Sequence, residues 1–183
     1  SYGGSGDDQA HAISQSTDGN YVITGYTTSG SSGTDGDVSG NHGGSDFWVI
    51  KTDTNGTLLW QNCFGGSSTE NAFSIAATPD GGSVIAGYTY STDGQVTNDK
   101  GDGDWWIIKI TSAGSLTWEK DFGGSAFDGA YGVTVVSDGT IAVTGTENSA
   151  DGDVTGNHGL ADAWILQLDA SGNLLLQKTI GTV

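Results

Sequence analysis

The chain has 183 residues, 32 of them Gly, and sets 22 acidic groups against five Lys and no Arg, for a formal charge of −17. That balance excludes nucleic acid as a partner, because no basic surface exists to replace counterions on phosphates. It disfavours anionic membranes too, and since no run approaches the ~20 apolar residues of a membrane helix, no membrane insertion is expected.

In chain order, Tyr2-Gly3-Gly4-Ser5 opens the first unit, and Asp8 follows as a turn cap. Ala12–Thr17 and Tyr21–Thr27 alternate and flank Asp18-Gly19-Asn20, a pairing that predicts a hairpin, since Asp-Gly supplies the positive φ that tight turns require. A loop rich in Asp, Ser and Gly follows, with Asp35, Asp37, Ser39, Asn41, His42 and Asp46. Phe47–Ile50 and Leu58–Trp60 then flank Asp53-Thr54-Asn55-Gly56 and predict a second hairpin. Cys63 reads as a small buried apolar residue rather than a reactive thiol. No segment carries sustained helical periodicity.

The same order of elements then returns twice. Phe64-Gly65-Gly66-Ser67 and Phe122-Gly123-Gly124-Ser125 match the opening, and Trp48, Trp106 and Trp164 recur 58 residues apart. The units run 2–63, 64–121 and 122–179, with 180–183 reading as the start of a truncated fourth. Each third strand is a continuous apolar run, such as Trp105-Trp106-Ile107-Ile108, which predicts a strand covered on both faces. The expected fold is therefore all-β, with three four-stranded antiparallel propeller-blade-like repeats in a partial propeller or stacked array forming one domain. Because roughly four to eight blades are usual, three are expected to associate with copies of the same chain or with further repeats of a longer one. The start at Ser1 without Met reads as a processed or excised fragment.

The repeated Gly-Gly-Ser, Asp-Gly-Gly, Gly-Asn-His-Gly and Asp-x-Trp motifs cover nearly the whole chain. On them the sequence resembles the secreted bacterial β-propeller-type repeat family found in surface proteins of gliding and type IX-secreting bacteria. The resemblance implies a propeller fold and an extracellular or cell-surface location, and it implies no particular activity. Asp53 to Trp60 also resembles a blade motif of quinoprotein propellers, where it is structural; no cofactor is carried over.

The acidic loop is spaced like a calcium loop. Counted from Asp35, side-chain oxygens fall at positions one (Asp35), three (Asp37), five (Ser39), seven (Asn41) and twelve (Asp46), with Gly40 at six. Asp151, Asp153, Thr155, Asn157 and Asp162 repeat it. The middle copy keeps Asp93 and Asp104 but has Gln95 at position three, while Asp99 and Asp102 offer replacement carboxylates. Ca2+ is the expected cofactor, and the competing reading is that Asp, Asn and Gly make turns without a metal. His42 and His158 fall at position eight, where loop packing or exposure is expected.

No catalytic constellation stands out as present only once, so no enzyme is expected. The expected function is a non-catalytic extracellular protein for surface adhesion or self-assembly, stabilised by calcium. The alternative is a carbohydrate-binding, lectin-like module that takes glycans on Phe47, Trp105, Tyr88 and Tyr90; a polysaccharide-acting enzyme ranks last. Phe47 and Trp105 are favoured because that position varies among repeats, with Ala163 as the third copy.

Overall fold

The computed structural model describes residues 1–182, and these contain twelve strands and no helix. The strands are β1 (Asp8–Gln15), β2 (Tyr21–Thr27), β3 (Asp46–Thr52), β4 (Leu58–Phe64), β5 (Glu70–Ala77), β6 (Ser83–Thr89), β7 (Asp104–Ile110), β8 (Leu116–Phe122), β9 (Gly129–Val135), β10 (Ile141–Glu147), β11 (Asp162–Leu168) and β12 (Leu174–Ile180). They form three antiparallel four-stranded meanders, β1-β2-β3-β4, β5-β6-β7-β8 and β9-β10-β11-β12. Each sheet is one propeller-blade-like repeat, and no sheet closes into a barrel.

The first strand is longer than alternation predicts, β1 running Asp8–Gln15 rather than from Ala12 to Thr17. The cause is a bulge. The β1–β2 register slips between Ala10 and Ala12, the β5–β6 register between Ala72 and Ser74, and the β9–β10 register beside Tyr131. A bulge bends its strand towards its neighbour, and the three recurring glycines sit opposite. A Cβ on Gly25 would lie 1.8 Å from the Gln9 carbonyl, and one on Gly87 or Gly145 would lie 2.0 Å from the Asn71 or Gly129 carbonyl. Close backbone approach therefore fixes these glycines.

The blades pack face to face. Phe47, Val49 and Phe64 of blade one meet Ala72, Ile85, Trp106 and Ile108 of blade two. Trp105, Ile107 and Phe122 of blade two meet Val143, Trp164 and Leu166 of blade three. Phe47 and Trp106 have ring centroids 4.7 Å apart, as do Trp105 and Trp164. Every residue of β3 is buried, as its unbroken apolar run predicts. The recurring tryptophans satisfy their indole N–H groups within their own blades, donating to Gln61, Glu119 and Gln177 at 3.1, 3.1 and 3.2 Å. On the outer side of blade three, Leu176 and Ile180 are exposed.

This packing corrects two ligand candidates. Phe47 and Trp105 are fully buried between blades, so their variation is matched by the facing blade and not by a ligand. Tyr88 is half-buried, and Tyr90 is the more exposed of the two; both lie in a ring cluster with Phe73, Phe127 and Tyr131.

Candidate functional site

The first and third positions of the acidic loop clasp the start of their own repeat. Asp35, Asp93 and Asp151 accept the backbone N–H of Ser5, Ser67 and Ser125 at 2.9, 2.7 and 2.8 Å. Asp37 and Asp153 accept from Gly3 and Gly123 at 3.3 and 3.4 Å. Gln95 accepts from Gly65 at 3.0 Å in the middle copy. A neutral amide thus does the work of the carboxylates, so position three needs an acceptor and not a charge. Asp8, Glu70 and Asp128 cap the same turn, accepting from Gly4, Gly66 and Gly124 at 2.7, 2.8 and 3.0 Å.

The later loop positions point inward. Asn41 donates to the Thr27 carbonyl at 3.1 Å, and Asn157 to the Ser149 carbonyl at 3.0 Å. The Ser39 hydroxyl accepts from Gln61 at 2.8 Å, and the Thr155 carbonyl accepts from Thr179 at 2.9 Å. His42 and His158 are not idle loop residues. Their Nδ1 atoms lie 2.5 and 3.2 Å from Oδ2 of Asp46 and Asp162, which also accept their backbone N–H groups.

Position twelve begins each third strand and is buried, with Asp46 and Asp104 fully enclosed. Oδ1 of Asp46 and Oδ1 of Asp104 have no hydrogen-bond partner. Both face a carboxylate of the next blade over a glycine. A Cβ on Gly65 would sit 2.2 Å from a Glu70 oxygen and 2.9 Å from Asp46 Oδ1. On Gly123 it would sit 1.9 Å from Asp104 Oδ1 and 2.9 Å from an Asp128 oxygen. Glycine is required there because any side chain would fill the space between paired acids.

In blade two the pair grows into a cluster. Asp99, Asp104 and Asp121 place ligand oxygens within 4.8 Å of one another, and they are the one such group of three among the described residues. Each keeps a buried oxygen without a partner: Asp99 Oδ1, Asp104 Oδ1 and Asp121 Oδ2. The loops of repeats one and three assemble no equivalent trio. Asp99 stands where they have Asn41 and Asn157, and Asp121 where they have Cys63 and Thr179. Asp121 is the residue that the loop spacing misses, because it lies on β8, outside the loop. Aligning the three repeats exposes it, as a carboxylate at a position that is otherwise small and inward-facing.

Burial raises the carboxyls of Asp121 and Asp104 well above the usual carboxylate range; for Asp121 the charge of Asp104 adds to the effect. Burial likewise raises Asp46 and Glu70 across the first blade junction. It also pushes the Cys63 thiol up to about 12, with Asp46 adding to the effect, so Cys63 is not a reactive thiolate.

Raised carboxyls have a definite sign in stability. The folded state holds protons that the unfolded chain releases from about pH 4 upward. Stability in chelator is therefore expected to fall as pH rises from the ordinary carboxylate range towards neutrality and beyond. The slope is about 1.4 kcal/mol per pH unit for each proton retained. Thermal unfolding in chelator between pH 5 and 8 checks this; a melting temperature flat across that range would contradict buried, proton-holding acids.

Comparison with known proteins yields fold likenesses only. No protein-family model matches the chain, and no curated protein does either. Among solved structures, an ACO/RPE65 chimera aligns with TM-score 0.50 and 16% identity over 95% of this chain and 38% of its own. A Synechocystis apocarotenoid oxygenase mutant gives TM-score 0.49 and 18% identity over 97% and 39%. A Bacteroides caccae protein of unknown function gives TM-score 0.31 and 8% identity over 94% and 82%. The chain thus spans about two-fifths of the oxygenase chains it matches.

These findings overturn the expectation of a non-catalytic protein for adhesion or self-assembly. The fold is shared with an ACO/RPE65 chimera, so blades of this kind are no mark of an adhesin. The acidic groups also do not all recur by repeat, because the Asp99–Asp104–Asp121 cluster has no counterpart among the described residues of the other two repeats.

Proposed function

We propose that this chain is a calcium-binding propeller-type module whose cation sits among Asp99, Asp104 and Asp121 and fastens blade two against blade three. The observation that carries the reading is the set of three buried carboxylate oxygens, one on each residue, without a hydrogen-bond partner. A buried, unpaired carboxylate is costly and either holds a proton or takes a cation. All donors are hard, anionic oxygens, which suit calcium rather than a thiophilic metal. Their mutual separation fits inside a sphere with Ca–O distances of about 2.3–2.6 Å. Asp128 of blade three adjoins Asp104 across Gly123, so charge neutralised at Asp104 relieves the facing carboxylate as well.

The excess of acid over base, −17 in all, draws cations to the whole molecule. Extracellular modules bind calcium in the range of about 10⁻⁴–10⁻³ M, and an extracellular location accords with this reading. Isothermal titration of chelator-treated protein with calcium is expected to give one well-defined site per chain. Binding should also raise the melting temperature, by roughly 5–10 °C at a hundredfold excess over Kd. Absence of both heat and thermal shift with millimolar calcium, magnesium and manganese would overturn the proposal.

A further inference from the structure

Lys100 supplies the positive charge in the acidic cluster. Its backbone N–H donates to Asp104 Oδ2 at 2.7 Å. Its ammonium lies 3.4 Å from Asp121 Oδ1, 3.3 Å from the Asp121 carbonyl and 2.7 Å from Asp153 Oδ2 in the loop of the next repeat. The other repeats have His42 and His158 in its place, and those rings turn onto the position-twelve carboxylate. The lysine instead bridges Asp153, its nearer partner, and Asp121, which occurs in blade two alone. Its side chain is 30% exposed, so the ammonium can shift outward without first being freed from a closed pocket.

We propose that Lys100 is a tethered counter-ion that shares Asp121 with the divalent cation and thereby sets the affinity of the site, with Asp153 as its resting partner when the cation is bound. The inference rests on the cation reading given above. Without a divalent ion, the ammonium offsets part of the charge of three crowded carboxylates, so the fold tolerates the cluster. When a divalent ion takes Asp121, an ammonium a few ångströms away opposes it, and a part-buried site screens that repulsion less than water does. Asp153 relieves the conflict by holding the ammonium on the far side. The backbone contact of residue 100 to Asp104 is independent of its side chain, so changing the lysine leaves that anchor in place.

Calcium titrations of wild type and four variants test this, with circular dichroism confirming their strands. Lys100→Met, which keeps an apolar stem of similar length, is expected to bind calcium at least tenfold tighter than wild type. Lys100→Arg keeps the charge and should stay within threefold of wild type. Asp153→Asn should bind several-fold weaker, because the ammonium falls back onto Asp121. In the Lys100→Met/Asp153→Asn double variant most of that loss should vanish. Unchanged or weaker binding by a folded Lys100→Met overturns the proposal while leaving the cation site standing. No uptake by wild type or Lys100→Met means that the cation reading itself is wrong, and the counter-ion role falls with it.

Discussion

Replacing Asp121 with asparagine is expected to stabilise the cation-free protein and to erase its response to calcium. The two effects have opposite consequences because the residue has two jobs. In the cation-free state its carboxyl is enclosed, faces Asp104 and keeps Oδ2 unpartnered. An amide of the same shape removes the charge, and its N–H can donate towards the neighbouring carboxylates. Relief of an unsatisfied buried acceptor amounts to about 1–3 kcal/mol, or a rise of roughly 2–4 °C in melting temperature per kcal/mol for a chain of this size. With calcium the order reverses: wild type gains stability through binding, while Asp121→Asn has lost a ligand that the loop cannot replace. Thermal melts of both proteins in chelator and in millimolar calcium should therefore cross. If Asp121→Asn melts lower than wild type in both conditions, the acid is a plain structural residue. Asp93→Asn is the informative contrast. Asp93 accepts the Ser67 N–H and is exposed, so its loss should weaken the turn without altering the calcium response.

The repeat frame was legible because each blade must bury the same face against a neighbour, so the same apolar and glycine positions recur. Trp48, Trp106 and Trp164 mark the third strands, and Gly25, Gly87 and Gly145 mark the close approach opposite each bulge. The acidic loop was legible as a motif, but its spacing did not reveal that the first and third positions accept hydrogen bonds from the start of the repeat. Calcium-loop spacing and a turn that clasps Gly-Gly-Ser call for the same Asp and Gly residues. Only Gln95 distinguishes them in the sequence, since it accepts the Gly65 N–H as well as an aspartate would. Asp104 and Asp99 were read as possible ligands from the loop alone. Asp121 was not, because the alternation of a strand announces an inward position without saying which neighbour that position meets. Phe47 and Trp105 misled for a related reason. Variation at one position reads as ligand choice, yet here each ring fits the tryptophan of the following blade.

Trp106→Ala is expected to cost about 3–5 kcal/mol, the range for deleting a fully buried large aromatic side chain. The indole is fully enclosed on β7, packs 4.7 Å from Phe47 across the first blade junction and donates to Glu119 at 3.1 Å. Truncation leaves a cavity between two sheets whose strands are pinned by their own ladders, so little collapse can offset it. At roughly 2–4 °C per kcal/mol the melting temperature falls by about 6–20 °C. Leu175→Ala, at an exposed position of β12, should change stability by less than about 0.5 kcal/mol. Because the blades form a row, the loss should be felt at the junction rather than through the whole array. A double-mutant cycle with Phe47→Ala locates it: a coupling of about 0.5–1.5 kcal/mol is expected for a ring pair in contact. Zero coupling would mean that the two rings contribute independently and that blade one is not fastened to blade two through them. Urea titrations of the four proteins measure this, and a constant slope across the set would show that the cavity weakens the junction without dividing the chain into separately unfolding blades.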